Sequence, residues 1–145
     1  MKGLIQRVSG ASVSVADEAV GEIGAGILLL LGVEKGDDHA RADKLLHKVL
    51  RYRIFEDDSG RMNRSLLDVA GGLLVVSQFT LVADTAKGLR PSFSSGADPE
   101  LGEALYDYFV AQARDQVSAL ASGRFGADMK VSLTNDGPVT FLLES

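Results

Sequence analysis

The run Ile27-Leu28-Leu29-Leu30-Leu31-Gly32-Val33 carries no polar side chain. Successive side chains on a strand point to opposite faces, so a strand made from this run is apolar on both and needs cover on both. A chain of 145 residues can supply that cover within one domain of ordinary size. Hydrophobic residues at 46% and charged residues at 24% place it among globular proteins rather than disordered ones. The apolar stretch from Ile27 to Leu31 falls far short of the roughly 20 residues that cross a bilayer. There is no cysteine, which excludes a disulfide scaffold and thiolate metal sites. No N-terminal segment joins a basic start to a sustained apolar stretch, so no secretory leader is expected. The expectation is a cytoplasmic protein with no membrane partner.

Around that strand the first third of the chain reads as β, and the strand–helix alternation that follows is too sparse for a doubly wound sheet. Leu4, Gln6 and Val8 alternate with Ile5 and Arg7, and Val13 and Val15 alternate with serines. Gly10-Ala11 and Gly24-Ala25-Gly26 punctuate the region. A first helix can be capped by Asp37 or Asp38 and carries Ala42, Leu45, Leu46, Val49 and Leu50 as its apolar stripe. A second opens at Asp98-Pro99-Glu100, with a capping residue and a proline at the first helical position. It is expected to run through Leu101, Leu105, Tyr108, Phe109 and Leu120 and to stop at Gly123. Between the helices, Arg53–Glu56 and Leu73–Gln78 read as strands, with Gly71-Gly72 turning into the second. Near the end, Met129, Val131 and Leu133 alternate with Asp128, Lys130 and Ser132. Asn135–Pro138 is expected to turn, and Val139–Leu143 to close the chain. The expected fold is α+β: a curved, mainly antiparallel, barrel-like sheet with two principal helices packed outside, a single domain over residues 1–145.

Several kinds of chemistry are missing. The two histidines, His39 and His47, fall eight residues apart in the first helix, a poor geometry for a shared metal, and read as surface or boundary residues. No G-x-S-x-G elbow, Walker A motif or dinucleotide fingerprint occurs. Glu56-Asp57-Asp58 leads into Ser59-Gly60 and reads as a turn rather than a metal site. An enzyme built from this chain is therefore expected to work without metal, thiol, histidine base or cofactor.

Two distant segments carry what chemistry there is. Ser77-Gln78-Phe79-Thr80-Leu81 ends an apolar run, so it lies where a buried strand leaves its ladder. There hydroxyls cluster and backbone N–H groups are left without partners, able to hold a carbonyl oxygen or a developing oxyanion. Serine and threonine also decorate strand ends with no further role, and spacing alone does not separate the two. Asn135-Asp136-Gly137-Pro138-Val139-Thr140 places a glycine before a proline between strand-like stretches. Such a segment is either an ordinary trans turn or a tight cis one whose carbonyl oxygens point in a fixed direction.

Taken in order, Ser77–Leu81 and Asn135–Thr140 resemble the paired signature of the D-aminoacyl-tRNA deacylase family. Gln6-Arg7-Val8, Gly60-Arg61-Met62-Asn63 and Lys87-Gly88-Leu89-Arg90-Pro91-Ser92-Phe93 also fit its pattern. The similarity spans essentially the whole chain without large insertions. It implies a hydrolase that cleaves the ester of D-aminoacyl-tRNA, acting as a homodimer with its site at the interface. Gly137-Pro138, in cis, would reach from one subunit into the other's pocket. Its carbonyl oxygens would meet the substrate's amino group and exclude an L side chain, which is specificity through a built clash. Arg7 would orient that motif, and Ser77, Gln78, Phe79 and Thr80 would line the opposite wall, with Phe93 beside them. Achiral glycine, including glycine mischarged on the alanine tRNA, would be accepted.

Cleavage then has two routes. Thr80 could attack as a nucleophile, but a hydroxyl without a base is weak. Alternatively the 2′-hydroxyl of the terminal ribose activates water, with backbone N–H groups near Phe79-Thr80 holding the oxyanion. The second route suits a chain with no available histidine. The net charge of −5 argues against a general nucleic-acid coat protein and against a DNA partner. RNA contact at the acceptor end is expected first from Lys87 and Arg90. Arg41, Lys44, Lys48 and Arg51 recur on one helix face as either a second RNA-binding patch or a solvated surface. Two other readings stand beside the deacylase: a non-catalytic dimeric small-molecule binding module, and a nucleic-acid interaction protein. An aromatic content of 6% weakens the last.

Overall fold

In the computed structural model, which describes residues Met1–Ser145, the elements follow in this order. They are β1 (Lys2–Val15), β2 (Glu18–Ile23), β3 (Gly26–Gly32), α1 (His39–Arg51), β4 (Phe55–Glu56) and β5 (Met62–Arg64). Then come α2 (Leu66–Val69), β6 (Gly72–Ser77), a 3-10 turn (Phe79–Val82), α3 (Pro99–Arg114), β7 (Leu120–Ser122) and β8 (Lys130–Glu144).

β1 organises the sheet. Its first half, Lys2 to Val8, pairs antiparallel with β3, and its second half, Ala11 to Val15, pairs antiparallel with β2. Along its other edge it pairs antiparallel with β8 for nearly its whole length. The sheet continues from β3 to β6 to β7 through parallel pairings, so it is mixed. The sheet curls until β2 meets β7: a Cβ on Gly21 would lie 2.9 Å from the carbonyl oxygen of Ser122, so only glycine permits the approach. The result is a nearly closed barrel-like sheet.

The two-faced apolar strand behaves as its composition requires. Ile27, Leu29 and Leu31 of β3 join Leu73 and Val75 of β6 in the larger core under the helices. Leu28, Leu74 and Val76 face the other way, into a smaller core with Val8, Val13 and Ile23. α1 and α3 pack on the larger core. Asp38 caps α1 by accepting from the Arg41 N–H at 2.9 Å, and Ala42, Leu45, Leu46, Val49 and Leu50 are its buried stripe. Asp37 is used elsewhere: its carboxylate holds the buried Met1 ammonium at 3.0 Å and the Glu34 N–H at 2.7 Å. Asp98 caps α3 by accepting from the Leu101 N–H, with Pro99 next to it.

The local sequence pattern misleads in several places. α3 ends at Arg114, because the Ala113 carbonyl accepts from both Gln116 and Val117 and closes the helix. Leu120, expected in that helix, instead begins β7 opposite Leu73, and Gly123 follows a strand. Tyr108 packs half-buried against the larger core as expected, and Tyr106, which the pattern did not single out, is buried in it: its phenol donates to the Val75 carbonyl at 3.0 Å, and burial pushes its pKa up to about 12. β1 continues through Gly10-Ala11, with Ser9 left over as a one-residue bulge, since its pairing with β8 resumes at Gly10 while the opposite partner changes from β3 to β2. β2 follows a turn made by Ala16 and Asp17 at positive φ; Asp17 is a residue that tolerates this region, whereas Ala16 carries no turn signal. Of the strand read over Arg53–Glu56, only Phe55 and Glu56 pair.

His39 and His47 are both exposed on α1, and His39 stacks on Tyr108 with ring centroids 3.9 Å apart. Glu56-Asp57-Asp58 does lead into a turn: the Asp57 carboxylate accepts from the Ser59 N–H, the Ser59 hydroxyl and the Arg61 N–H. Asp68 closes a capping box on α2 with Ser65. These bonds hold both carboxyls below the ordinary value of 3.8: Asp57 chiefly through the Ser59 hydroxyl, and Asp68 chiefly through the Ser65 N–H. A lowered folded-state pKa contributes stability that is present above the unfolded value and lost as pH falls through the folded one. The double variant Asp57→Asn, Asp68→Asn is therefore expected to be less stable than the parent at pH 7. That gap should narrow steadily below pH 3.8, as read by urea unfolding across the range.

Candidate active site

β6 leaves its ladder at Ser77, where the Gln78 N–H makes the last bond, to the Leu31 carbonyl at 2.8 Å. The chain then tightens into the 3-10 turn, whose first internal donor is the Leu81 N–H, bonded to Gln78. The Phe79 and Thr80 N–H groups come before any partner and have no acceptor in the protein. The Thr80 hydroxyl is engaged by the Gln78 side-chain amide, and no base contacts it. Two free backbone donors side by side are what a developing oxyanion needs. A threonine without a base is a poor nucleophile.

Beside this turn lies a cavity of about 500 Å³. Ser77, Gln78 and Phe79 form one wall, and the N-terminal turn of α3, through Asp98, Pro99 and Gly102, forms another. Phe125, Met129 and Val131 close it from the β7–β8 connection and the start of β8. Phe79 is 64% exposed, and its ring lies 5.2 Å from that of Phe93, which is 45% exposed. Phe93 thus stands at the rim without lining the cavity.

The second segment is neither a turn between two strands nor a chain reversal. Val8 pairs with Asn135 and Gln6 pairs with Thr140, so the four residues Asp136–Val139 stand opposite Arg7 alone. They form a large bulge within one continuous strand, β8, because β1 offers a partner on both sides of it. Asn135 ties its base: the side-chain amide donates to the Val139 carbonyl at 3.1 Å, and its oxygen accepts from the Val139 N–H at 2.7 Å. Arg7, only 8% exposed, holds the bulge from beneath. Its Nε donates to the Asp136 carbonyl at 2.8 Å, and its Nη1 donates to the Ile54 carbonyl at 2.7 Å. Asp136, Gly137 and Pro138 project into solvent, and the Gly137–Pro138 bond is cis. Gly137 has φ +149°, and a Cβ there would sit 2.7 Å from Val139 Cγ2, so the position admits glycine only.

Within one chain these two segments are far apart. Ser77 is level with Leu31 and Gly3 across the sheet, whereas Arg7 and the bulge are level with Ile27 and Leu73. Four residues along a strand and three strands across separate them by something on the order of 20 Å. The remaining expected contacts are also spread out. Lys87 and Arg90 are exposed in a loop pinched by the Asp84–Ser92 pairing, away from the cavity walls. On α1, Arg41 and Lys48 donate to the carbonyls of Ser145 and Glu144, so half of that basic face fastens the end of β8.

Sequence reasoning missed Asn135 as the clamp, the Ile54 carbonyl as an Arg7 partner, and Phe125, Met129 and Gly102 as cavity walls. The Asn-x-Gly-Pro spacing held the signal for the first. Nothing local signals the others, because the cavity is assembled from elements distant in sequence.

Fold and cavity define a small α+β barrel with free backbone donors beside its cavity and no side-chain triad there. A family model described as D-Tyr-tRNA(Tyr) deacylase matches residues 4–144. A D-aminoacyl-tRNA deacylase of Stutzerimonas stutzeri is 69% identical over 145 residues, covering 100% of both chains. One from Aeromonas hydrophila is 65% identical over 144 residues, 99% of each. Among solved structures, one titled c-Myc DNA Unwinding Element Binding Protein superposes with a TM-score of 0.95 at 40% identity, covering 100% of this chain and 99% of that one. A probable eukaryotic D-amino acid tRNA deacylase shares the fold, with a TM-score of 0.79 at 20% identity over 99% of this chain and 98% of that one. This chain belongs to the D-Tyr-tRNA(Tyr) deacylase family.

The guanidinium of Arg7 reaches two carbonyls in different directions, which a lysine ammonium on a flexible stem does not reproduce. Arg7→Lys is expected to lower stability by about 1.5–3 kcal/mol, the worth of a charged hydrogen bond. The measurement is the urea midpoint, with faster amide exchange at Val139 as the local sign.

Proposed function

We propose that this chain hydrolyses the ester of D-aminoacyl-tRNA, releasing the free D-amino acid and tRNA. The observation that carries the reading is the pair of uncommitted N–H groups on Phe79 and Thr80 beside a cavity with no nucleophile–base pair. Water adds to the ester carbonyl, the oxyanion rests on those two donors, and the carbonyl–ribose oxygen bond breaks as the ribose oxygen takes a proton. The 2′-hydroxyl of the terminal ribose orients and activates the water. Ser77 and Gln78 line the wall beside the ester, and Thr80 serves through its backbone.

Selectivity belongs to Gly137 and Pro138. The bulge is rigidly clamped, exposed and out of reach of its own chain's cavity, which supports a homodimer in which it enters the cavity of the other subunit. Its carbonyl oxygens meet the substrate's amino group and leave no room for an L side chain, so glycine passes as D residues do. Arg7 sets the bulge's direction, Phe93 shields the rim beside Phe79, and Lys87 and Arg90 approach the acceptor end. A DNA-binding reading, suggested only by the printed name of one similar structure, meets a net charge of −5 that works against duplex binding.

Purified protein incubated with D-tyrosyl, glycyl and L-tyrosyl tRNA is expected to strip the first two and spare the third, followed as loss of labelled ester. Equal rates on the D and L esters, or no turnover, would overturn the reading. Thr80→Ala is expected to keep deacylation within about tenfold of the parent, because only the Thr80 backbone N–H meets the developing oxyanion. Complete loss in a variant that still folds would instead make Thr80 the nucleophile.

A further inference from the structure

A second cavity, also about 500 Å³, lies alongside the first, and the two share one lining residue, Phe125. It runs between α3 and the start of the β7–β8 connection, and Arg114, Arg124, Glu103, Asp107 and Ser122 face it. Arg114 and Arg124 are exposed, and every ion pair in the chain is made by other residues. Glu103 and Asp107 are likewise unpaired. In a chain of net charge −5, two arginines free of ion pairs line one cleft together with two free carboxylates.

We infer that this cleft binds the single-stranded RNA leading to the ester, Arg114 and Arg124 taking phosphodiester oxygens while Glu103 and Asp107 accept from ribose 2′-hydroxyls. The inference rests on the deacylase reading for its direction, since a strand whose terminal residue fills the first cavity leaves past Phe125 into the second. Guanidinium forks match phosphate geometry, and the carboxylates suit a backbone that alternates anions with hydroxyl donors. A free phosphate would gain nothing from the carboxylates, and DNA has no 2′-hydroxyl to offer them. α3 gives the cleft its reach: Gly102 lines the first cavity and Arg114 lies roughly 18 Å further along the helix axis. Lys87 and Arg90 line neither cavity.

The test uses the double variant Arg114→Gln, Arg124→Gln, with circular dichroism to verify folding. On D-tyrosyl-tRNA its KM is expected to rise about tenfold or more, and the slope of log KM against log salt to fall by roughly 0.7 for each phosphate that is no longer neutralised. The D-tyrosyl ester of adenosine, which has no phosphodiester, should weaken by no more than about twofold, because the two arginines act on phosphate alone. An unchanged KM on tRNA, or a parallel rise on the adenosine ester, would overturn the inference. Fluorescence anisotropy of a labelled RNA hexamer and its DNA counterpart separates this proposal from the deacylase reading. Tighter binding of RNA than DNA by the parent, abolished in the double variant, supports the cleft even if no ester is hydrolysed. Equal binding by parent and variant refutes the cleft even if hydrolysis is brisk.

Discussion

The constraint on which the rest depends is the pairing of β1. It is the one strand with three partners, and it places β3 and β2 end to end along one edge and β8 along the other. A strand of 14 residues cannot stay flat across that many neighbours, and its right-handed twist carries the sheet round until β2 meets β7. The same strand determines where β8 must bulge. Pairing resumes on both sides of Arg7, so the surplus residues of β8 have nowhere to go but outward.

Arg7 turns that surplus into a rigid feature. A buried guanidinium is costly unless its donors are met, and here the donors meet the carbonyls of Asp136 and Ile54. Each side stabilises the other: the bulge satisfies the charge, and the charge holds the bulge's backbone in one orientation. Asn135 completes the arrangement from within β8. At the opposite end of the sheet the logic is reversed. Where β6 gives way to the 3-10 turn, two N–H groups are left unmet, and they belong to exposed residues beside the cavity rather than to the core. One segment is tied at its base, through Asp136 and Val139, and is held in one orientation; the other keeps two backbone donors free and is open to a ligand.

The elements that were legible in the sequence are those whose signal is local. The capping of α1 and α3, the apolar stripe of α1 and the two-faced strand β3 follow from side-chain period and end chemistry. The misread elements depend on neighbours. Leu120 and Gly123 extend a plausible helical pattern, and only the free edge of β6 draws Leu120 into a strand. Gly10-Ala11 reads as punctuation until β8 supplies a partner on both sides of it. Ala16-Asp17 turns the chain without glycine, proline or asparagine to announce it. The site divides in the same way. Its motifs, Ser77–Thr80 and Asn135–Pro138, were visible as strings, but their geometry was not.

By itself the sequence determined that strands and two amphipathic helices would enclose a core on both faces of Ile27–Val33. It also determined that no thiol is available, since the chain has no cysteine. These follow from residue type and spacing, which act over a few residues. The tertiary structure alone decided that Asn135–Pro138 is a bulge and not a turn. It decided too that Arg7 lies under that bulge, and that it sits on the order of 20 Å from Ser77 within one chain. Those outcomes depend on which strands pair and in what register, and a register is a property of two strands together, never of one read alone.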